Sequence, residues 1–391
     1  MWPYVLCFSL SCYFTKIASK YRNKRLEYTF FSILALLFPC ILAAVRDASI
    51  GTDVGVYGNI TFYRSLQMDF TDYIASRGGE YLYLVIVYLC SHSFGTLQFQ
   101  YFVFQAMTIV PIYCTLQRKK NNRYAWVGML VYYLMLFPYS LNLMRQCIAI
   151  ALLFWGFKYI QERKLFKYVA LVIIATMFHT TALVALVVYP IYILMSTSNE
   201  EIKNWSWYKK HSNSIIVKIG NKYGKIMSWL IILLSIVLLT QFSKLITLLY
   251  QYSSEDYSHF YNQIINSSRL PIIREYVILV IPIFTMYFIN RNYFERNDRE
   301  IRALFTLSAM GVILYQAAKI SAETYRMSLY FCIFLPLFVM RMLSYKKDAR
   351  NRMVWITIIV LCLSMFWYKF FVIEKWCQIY PYTSEFLGIG K

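Results

Sequence analysis

Six ionisable residues stand where an apolar chain has little reason to put them: Arg46, Asp53, Glu80, Arg145, His179 and Arg326. Arg145 poses the sharpest question. It sits inside LNLMRQCIAIAL (Leu141–Leu152), among residues suited to hydrocarbon. A guanidinium stays protonated at any relevant pH, and placing it in or near a bilayer costs at least ~2.5–3.5 kcal/mol. A buried anion at the same depth would offset that cost. Arginine forks match phosphate oxygens two at a time. A diphosphate at the membrane surface, with its chain in the lipid, is therefore the ligand these cations suggest.

The remaining residues supply the other half of a group-transfer site. His179 lies in FHTT (Phe178–Thr181) between two short apolar runs, and the unperturbed imidazole titrates near neutrality. Asp53 and Glu80 are the alternative bases. Tyr57 and Phe62 could stack on sugar rings. The plainer reading is that Arg46, Arg64 and Arg77 snorkel to headgroups, that His179 fills a helix break, and that Tyr and Phe at span ends form an aromatic belt. The chain has no Walker A loop, no HExxH, no His spacing suited to a metal and no GxSxG elbow. The expected chemistry uses no metal and no cofactor.

What must hold these residues in place is a membrane. The 391 residues are 59% hydrophobic and 15% charged, against ~25% charged in soluble chains. The predicted class is all-α: a polytopic integral membrane protein of about 12 spans. The spans are 2–15, 28–45, 97–116, 124–141, 146–160, 166–178, 181–195, 227–249, 273–290, 301–318, 326–341 and 353–372. Residues 80–94 form an outer-side half-helix. The chain reads as a single domain, 1–391, with a first large outer loop at 46–96 and a basic cytoplasmic loop at 196–226. Eight of the nine cysteines lie in apolar runs, where Cys acts as a small hydrophobe. No disulfide framework is implied.

Charge orients the threading. With the N-terminus outside, the inner segments hold 28 of the 40 Lys and Arg and 8 of the 19 acids. They carry +20, and everything else carries +1. Basic residues resist translocation, so both termini are expected outside. A break at 178–181 and a non-spanning 80–94 are needed to keep 196–226 inside. The net charge of +21 is explained by these basic loops, so the lipid bilayer is an expected partner and nucleic acid is not.

Four stretches carry a resemblance. RDASIGTDVGVY (Arg46–Tyr57), RQCIA (Arg145–Ala149), FHTTAL (Phe178–Leu183) and YRMSLYF (Tyr325–Phe331) resemble the EpsG family of Wzy-like bacterial polysaccharide polymerases, in order from about residue 28 to 345. The resemblance implies that oligosaccharide repeat units carried on undecaprenyl diphosphate are joined at the outer face of the bacterial cytoplasmic membrane, yielding O-antigen, capsule or exopolysaccharide. A chain-length regulator and other assembly-pathway membrane proteins would be its partners. On this reading Arg145 and Arg326 hold the pyrophosphate with Arg46 as helper, His179 is the first choice of base with Asp53 and Glu80 behind it, and Tyr57 meets sugar. A ligase of the same class and a lipid-linked oligosaccharide flippase are the alternatives. A transporter would more often show repeated halves and broken helices at midplane.

Overall fold

A computed structural model describes residues 1–76, 79–118, 122–196, 223–224, 226–237, 274–298, 300–316, 324–345 and 349–390. The contacts divide the chain into two units, one of residues 1–183 with 348–391, the other of residues 184–347.

The first unit begins with a hairpin of α1 (Trp2–Lys20) and α2 (Arg25–Ala44), closed by a tight turn in which the Lys24 amide donates to the Tyr21 carbonyl. Small residues let the two backbones approach: Ala18 and Ala35 are fully buried, as expected where lipid tails give no hydrophobic drive for helix pairing. Buried hydroxyls bridge the helices. Ser11 donates to the Ala35 carbonyl (2.6 Å) and pairs with the Tyr133 hydroxyl (2.6 Å); Ser32 pairs with Tyr113 (2.8 Å). Phe8 stacks on Tyr133 at 4.8 Å and meets Phe137 edge-on at 5.2 Å.

After the hairpin come α3 (Ile60–Ser65), α4 (Phe70–Ala75) and α5 (Tyr81–Ser93). With 13 residues, α5 is shorter than the ~17–25 of a full straight span. The long α6 (Leu97–Gln117) follows. The predicted span 124–141 is two pieces, α7 (Ala125–Met135) and α8 (Phe137–Asn142), with Pro138 opening the second. A single non-helical residue, Leu143, then separates α8 from α9 (Met144–Gln161). The next helix, α10 (Leu165–Thr176), packs closely on α9, because a Cβ at Gly156 would stand 2.1 Å from Leu171 Cδ2. The chain breaks at Met177–His179 before a 3-10 segment, Thr180–Val187.

The second unit holds α11 (Val188–Ser196), α12 (Ile226–Val237), α13 (Arg274–Ile289), α14 (Arg291–Asn297), α15 (Glu300–Leu314), α16 (Leu329–Cys332) and α17 (Phe334–Tyr345). Its centre is α15, where Gly311 lets the α16 backbone in: a Cβ there would sit 2.6 Å from the Cys332 nitrogen. Most of the basic loop 196–226 lies outside the described residues.

The last helix, α18 (Ala349–Trp367), belongs to the first unit and ends in a π-helical turn, Tyr368–Ile373. The tail beyond it reads as polar in sequence, yet it is built into the unit. Tyr4 donates to the Ile379 carbonyl (2.8 Å) and Tyr382 to the Leu42 carbonyl (2.7 Å). The Asp47 amide donates to the Thr383 carbonyl (3.1 Å). The start of α1, the end of α2, the beginning of the 46–96 loop and the tail therefore share one end of the unit.

Four helical stretches are long and apolar enough to cross a bilayer: Arg25–Ala44, Leu97–Gln117, Tyr325–Tyr345 and Arg350–Ile373. Shorter apolar helices accompany them. Among the described residues there is no strand, only an isolated bridge between Ser384 and Ile389. The protein is an all-helical, multi-pass membrane protein.

Candidate active site

Glu80 is the hub. It is the N-cap of α5 and adopts left-handed backbone angles (φ 58°, ψ 36°), directly after Gly79 at φ 80°. That conformation costs a non-glycine residue roughly 1–2 kcal/mol, and such strain persists only where the surroundings over-determine it. Here they do. Oε2 accepts from Arg145 Nη1, and Oε1 is 2.6 Å from His179 Nδ1. Glu80 is 15% exposed at its side chain, and both partners are 17% exposed. The Leu82 amide, one of the orphan donors in the first turn of α5, bonds the Met177 carbonyl at 3.1 Å. That contact ties the α5 start to the break that carries His179.

Arg145 is the second residue of α9. Here the helix dipole disfavours a cation, which adds to the cost of burial. The anion that offsets both is the protein's own Glu80. The guanidinium also lies over the Tyr57 ring at 3.6 Å, with Tyr83 at 5.6 Å. Tyr83 donates to the Tyr57 carbonyl and packs on Phe104 at 5.3 Å. Tyr57 belongs to a π-helical turn, Val54–Asn59, a geometry found frequently at functional sites.

Asn142, at the end of α8, fixes that turn. Its Oδ1 accepts from Thr52 Oγ1 (2.9 Å) and from the Asp53 amide (2.8 Å). The approach is close enough to need a glycine: Gly51 has φ 101°, and a Cβ there would stand 2.8 Å from the Leu141 carbonyl oxygen. The residues that sequence reasoning missed are thus Asn142, Tyr83 and Tyr101. For Asn142 a signal existed, a polar side chain in LNLM at a span's end. For the tyrosines none did, because they look like belt residues.

The structure brings Glu80, Arg145, His179 and Tyr57 together. Asp53 is held close by through its main chain, whose carbonyl accepts from the Tyr57 amide at 2.8 Å. Arg46 is buried beside Met144, the residue of α9 that precedes Arg145. Its Nη2 is 3.5 Å from Met144 Sδ, and its guanidinium lies over the Tyr101 ring at 4.7 Å. Arg326 falls in the other unit, half-buried in a 3-10 turn, Thr324–Ser328. Phe62 is buried in the protein, while Arg64 is exposed; Arg77 lies outside the described residues.

The model of the EpsG family matches residues 28–384. The chain belongs to the EpsG family. EpsG-type proteins are Wzy-like polysaccharide polymerases, and the match covers every residue of this site as well as Arg326. No curated protein and no solved structure matches the chain. For an EpsG-family member the arrangement has clear chemical capacity. The Glu80 carboxylate holds Nδ1 of the imidazole, so a proton taken from a substrate is taken at Nε2, and the imidazolium so formed faces an anion. This is the base-plus-orienting-carboxylate logic of acyl-transfer triads, here with an arginine on the second carboxylate oxygen.

Proposed function

We propose that this protein polymerises oligosaccharide repeat units carried on undecaprenyl diphosphate, at the outer face of the cytoplasmic membrane. A sugar hydroxyl of one lipid-linked unit attacks the anomeric carbon of another. The bond from that carbon to the diphosphate oxygen breaks, and the diphosphate leaves with the electron pair. His179 Nε2 takes the hydroxyl proton, and Glu80 orients the ring and stabilises its charge. General bases contribute ~10²–10⁴-fold in such steps. Arg145 holds the other oxygen of Glu80 and keeps it aimed. Tyr57, with one face on Arg145, presents its edge or other face for sugar.

The single observation carrying this reading is Glu80 in left-handed geometry, gripping His179 and Arg145 at once. Family membership supplies the reaction class. The charge asymmetry of the sequence supports the outer face, as the basic segments would remain in the cytoplasm.

The test is gel analysis of surface polysaccharide and lipid-linked intermediates in a deletion strain complemented with wild type or His179→Ala. Single-unit-capped product in both the deletion and the variant supports the polymerase. Intracellular accumulation of lipid-linked units would instead mean a flippase and end this reading.

A further inference from the structure

We propose that Arg46, rather than Arg145, anchors the diphosphate of the lipid-linked substrate; this rests on the polymerase reading above and assigns its anion site. The two arginines are in opposite states. Arg145 is neutralised by Glu80. Arg46 is 5% exposed and has no carboxylate partner among the described residues. Its Nε is buried without an acceptor, and Nη2 reaches only the Met144 thioether, a weak acceptor.

Among the described residues no charged group is paired with Arg46. Tyr101, Tyr4 and Tyr382 are the titratable side chains that act on it electrostatically. Each of these phenols donates its proton within the protein: Tyr101 to Asn59 Oδ1, Tyr4 to the Ile379 carbonyl and Tyr382 to the Leu42 carbonyl. The neighbouring carboxylate, Asp47, is turned to the tail, where it accepts from the Glu385 amide at 2.8 Å. A guanidinium left in this state is strongly destabilising unless an anion joins it, and the Tyr101 ring compensates only in part.

The position suits a leaving group. Met144 touches Arg46, and the next residue, Arg145, holds Glu80 and through it His179. Gly58 keeps this corner narrow: a Cβ there would meet Tyr101 Oη at 2.9 Å and Met144 Cε at 3.3 Å. A phosphate oxyanion on Arg46 would leave the Glu80–Arg145 pair intact.

The experiment uses the full-length protein in nanodiscs of neutral lipid. Binding of undecaprenyl diphosphate and, separately, of phosphatidylglycerol is measured for wild type, Arg46→Gln, Arg46→Lys and Arg145→Gln. The inference expects Arg46→Gln to weaken undecaprenyl diphosphate binding about tenfold or more, Arg46→Lys to recover part of it because the charge stays and the fork is lost, and Arg145→Gln to bind within about threefold of wild type. It also expects Arg46→Gln to unfold thermally no earlier than wild type, since an uncompensated cation has been removed. Three results would overturn it: equal binding by Arg46→Gln, an earlier unfolding of Arg46→Gln that marks the cation as structural, or phosphatidylglycerol binding as tightly with the same dependence on Arg46. A wild-type protein that ignores undecaprenyl diphosphate would remove the donor reading itself, which separates the two failures.

Discussion

Two glutamates in this protein each gather several partners, Glu295 three and Glu80 two, and they do so for different ends. Glu295 sits inside α14, in regular helix. It accepts from Arg291 Nε (2.7 Å) and the Tyr287 hydroxyl (2.6 Å) on one oxygen and from Arg302 Nη2 (2.8 Å) on the other. Its partners are four, eight and seven residues away. Burial pushes its pKa up, but the bonds from Arg302, Arg291 and Tyr287 outweigh it and hold the carboxyl at about 2. Glu80 has strained backbone, partners 65 and 99 residues away, and a histidine in place of one arginine. The first cluster is saturated by permanent cations and can only hold structure together. The second includes a group whose unperturbed pKa lies near neutrality, so it can change charge during a reaction. Number and closeness of contacts do not separate the two clusters; a titratable partner and a strained backbone do.

The comparison breaks first at His179. His179→Ala is expected to cut polymer formation by about 10²–10⁴-fold with unchanged membrane abundance, read from polymer ladders beside immunoblots. His179→Gln can keep the bond to Glu80 but cannot accept a proton at neutral pH; full polymer from that variant would leave His179 a purely structural residue. Glu80→Gln comes next, with a loss of about 10²-fold and reduced abundance, because Arg145 then lacks its anion. Adding Arg145→Gln should restore abundance and leave polymerisation defective.

Glu295→Gln should do the opposite. Its two arginines lose their anion, a loss of about 3–5 kcal/mol for a buried pair, so abundance falls while activity per molecule persists. The pH dependence gives a second reading. A carboxyl depressed to about 2 from about 4.3 when unfolded adds stability that is complete above the unfolded value and is lost as pH falls towards 2. Thermal unfolding of the solubilised wild type should show that acid loss, and Glu295→Gln should lack it. The smallest effect belongs to Asn142→Ala. It removes two bonds of ~0.5–1.5 kcal/mol each that set the Tyr57 turn, and should lower polymer yield by roughly three- to tenfold without lowering abundance.

Much of this was legible in the sequence. The break at Phe178–Thr181 came from charge and length, and the structure has a break at Met177–His179. Arg145, His179 and Glu80 stood out because ionisable groups are costly in apolar surroundings. Their roles were less legible. Arg145 was expected to meet a substrate anion, and the structure supplies Glu80 to it. The tail looked like a polar end and is instead bonded to the first loop, through carbonyls and amides that composition does not display.

The sequence alone therefore determined that the chain is helical, membrane-embedded and multi-pass, because hydropathy and helix length are local properties. Family membership was likewise legible from short ordered motifs. Only the tertiary structure decided which cation is satisfied and which is not. Partners 65 and 99 residues apart meet where the start of α5 bonds the α10 break and reaches Arg145 at the α9 start. No local periodicity encodes that meeting, and the same fold leaves Arg46 buried with no charged partner among the described residues.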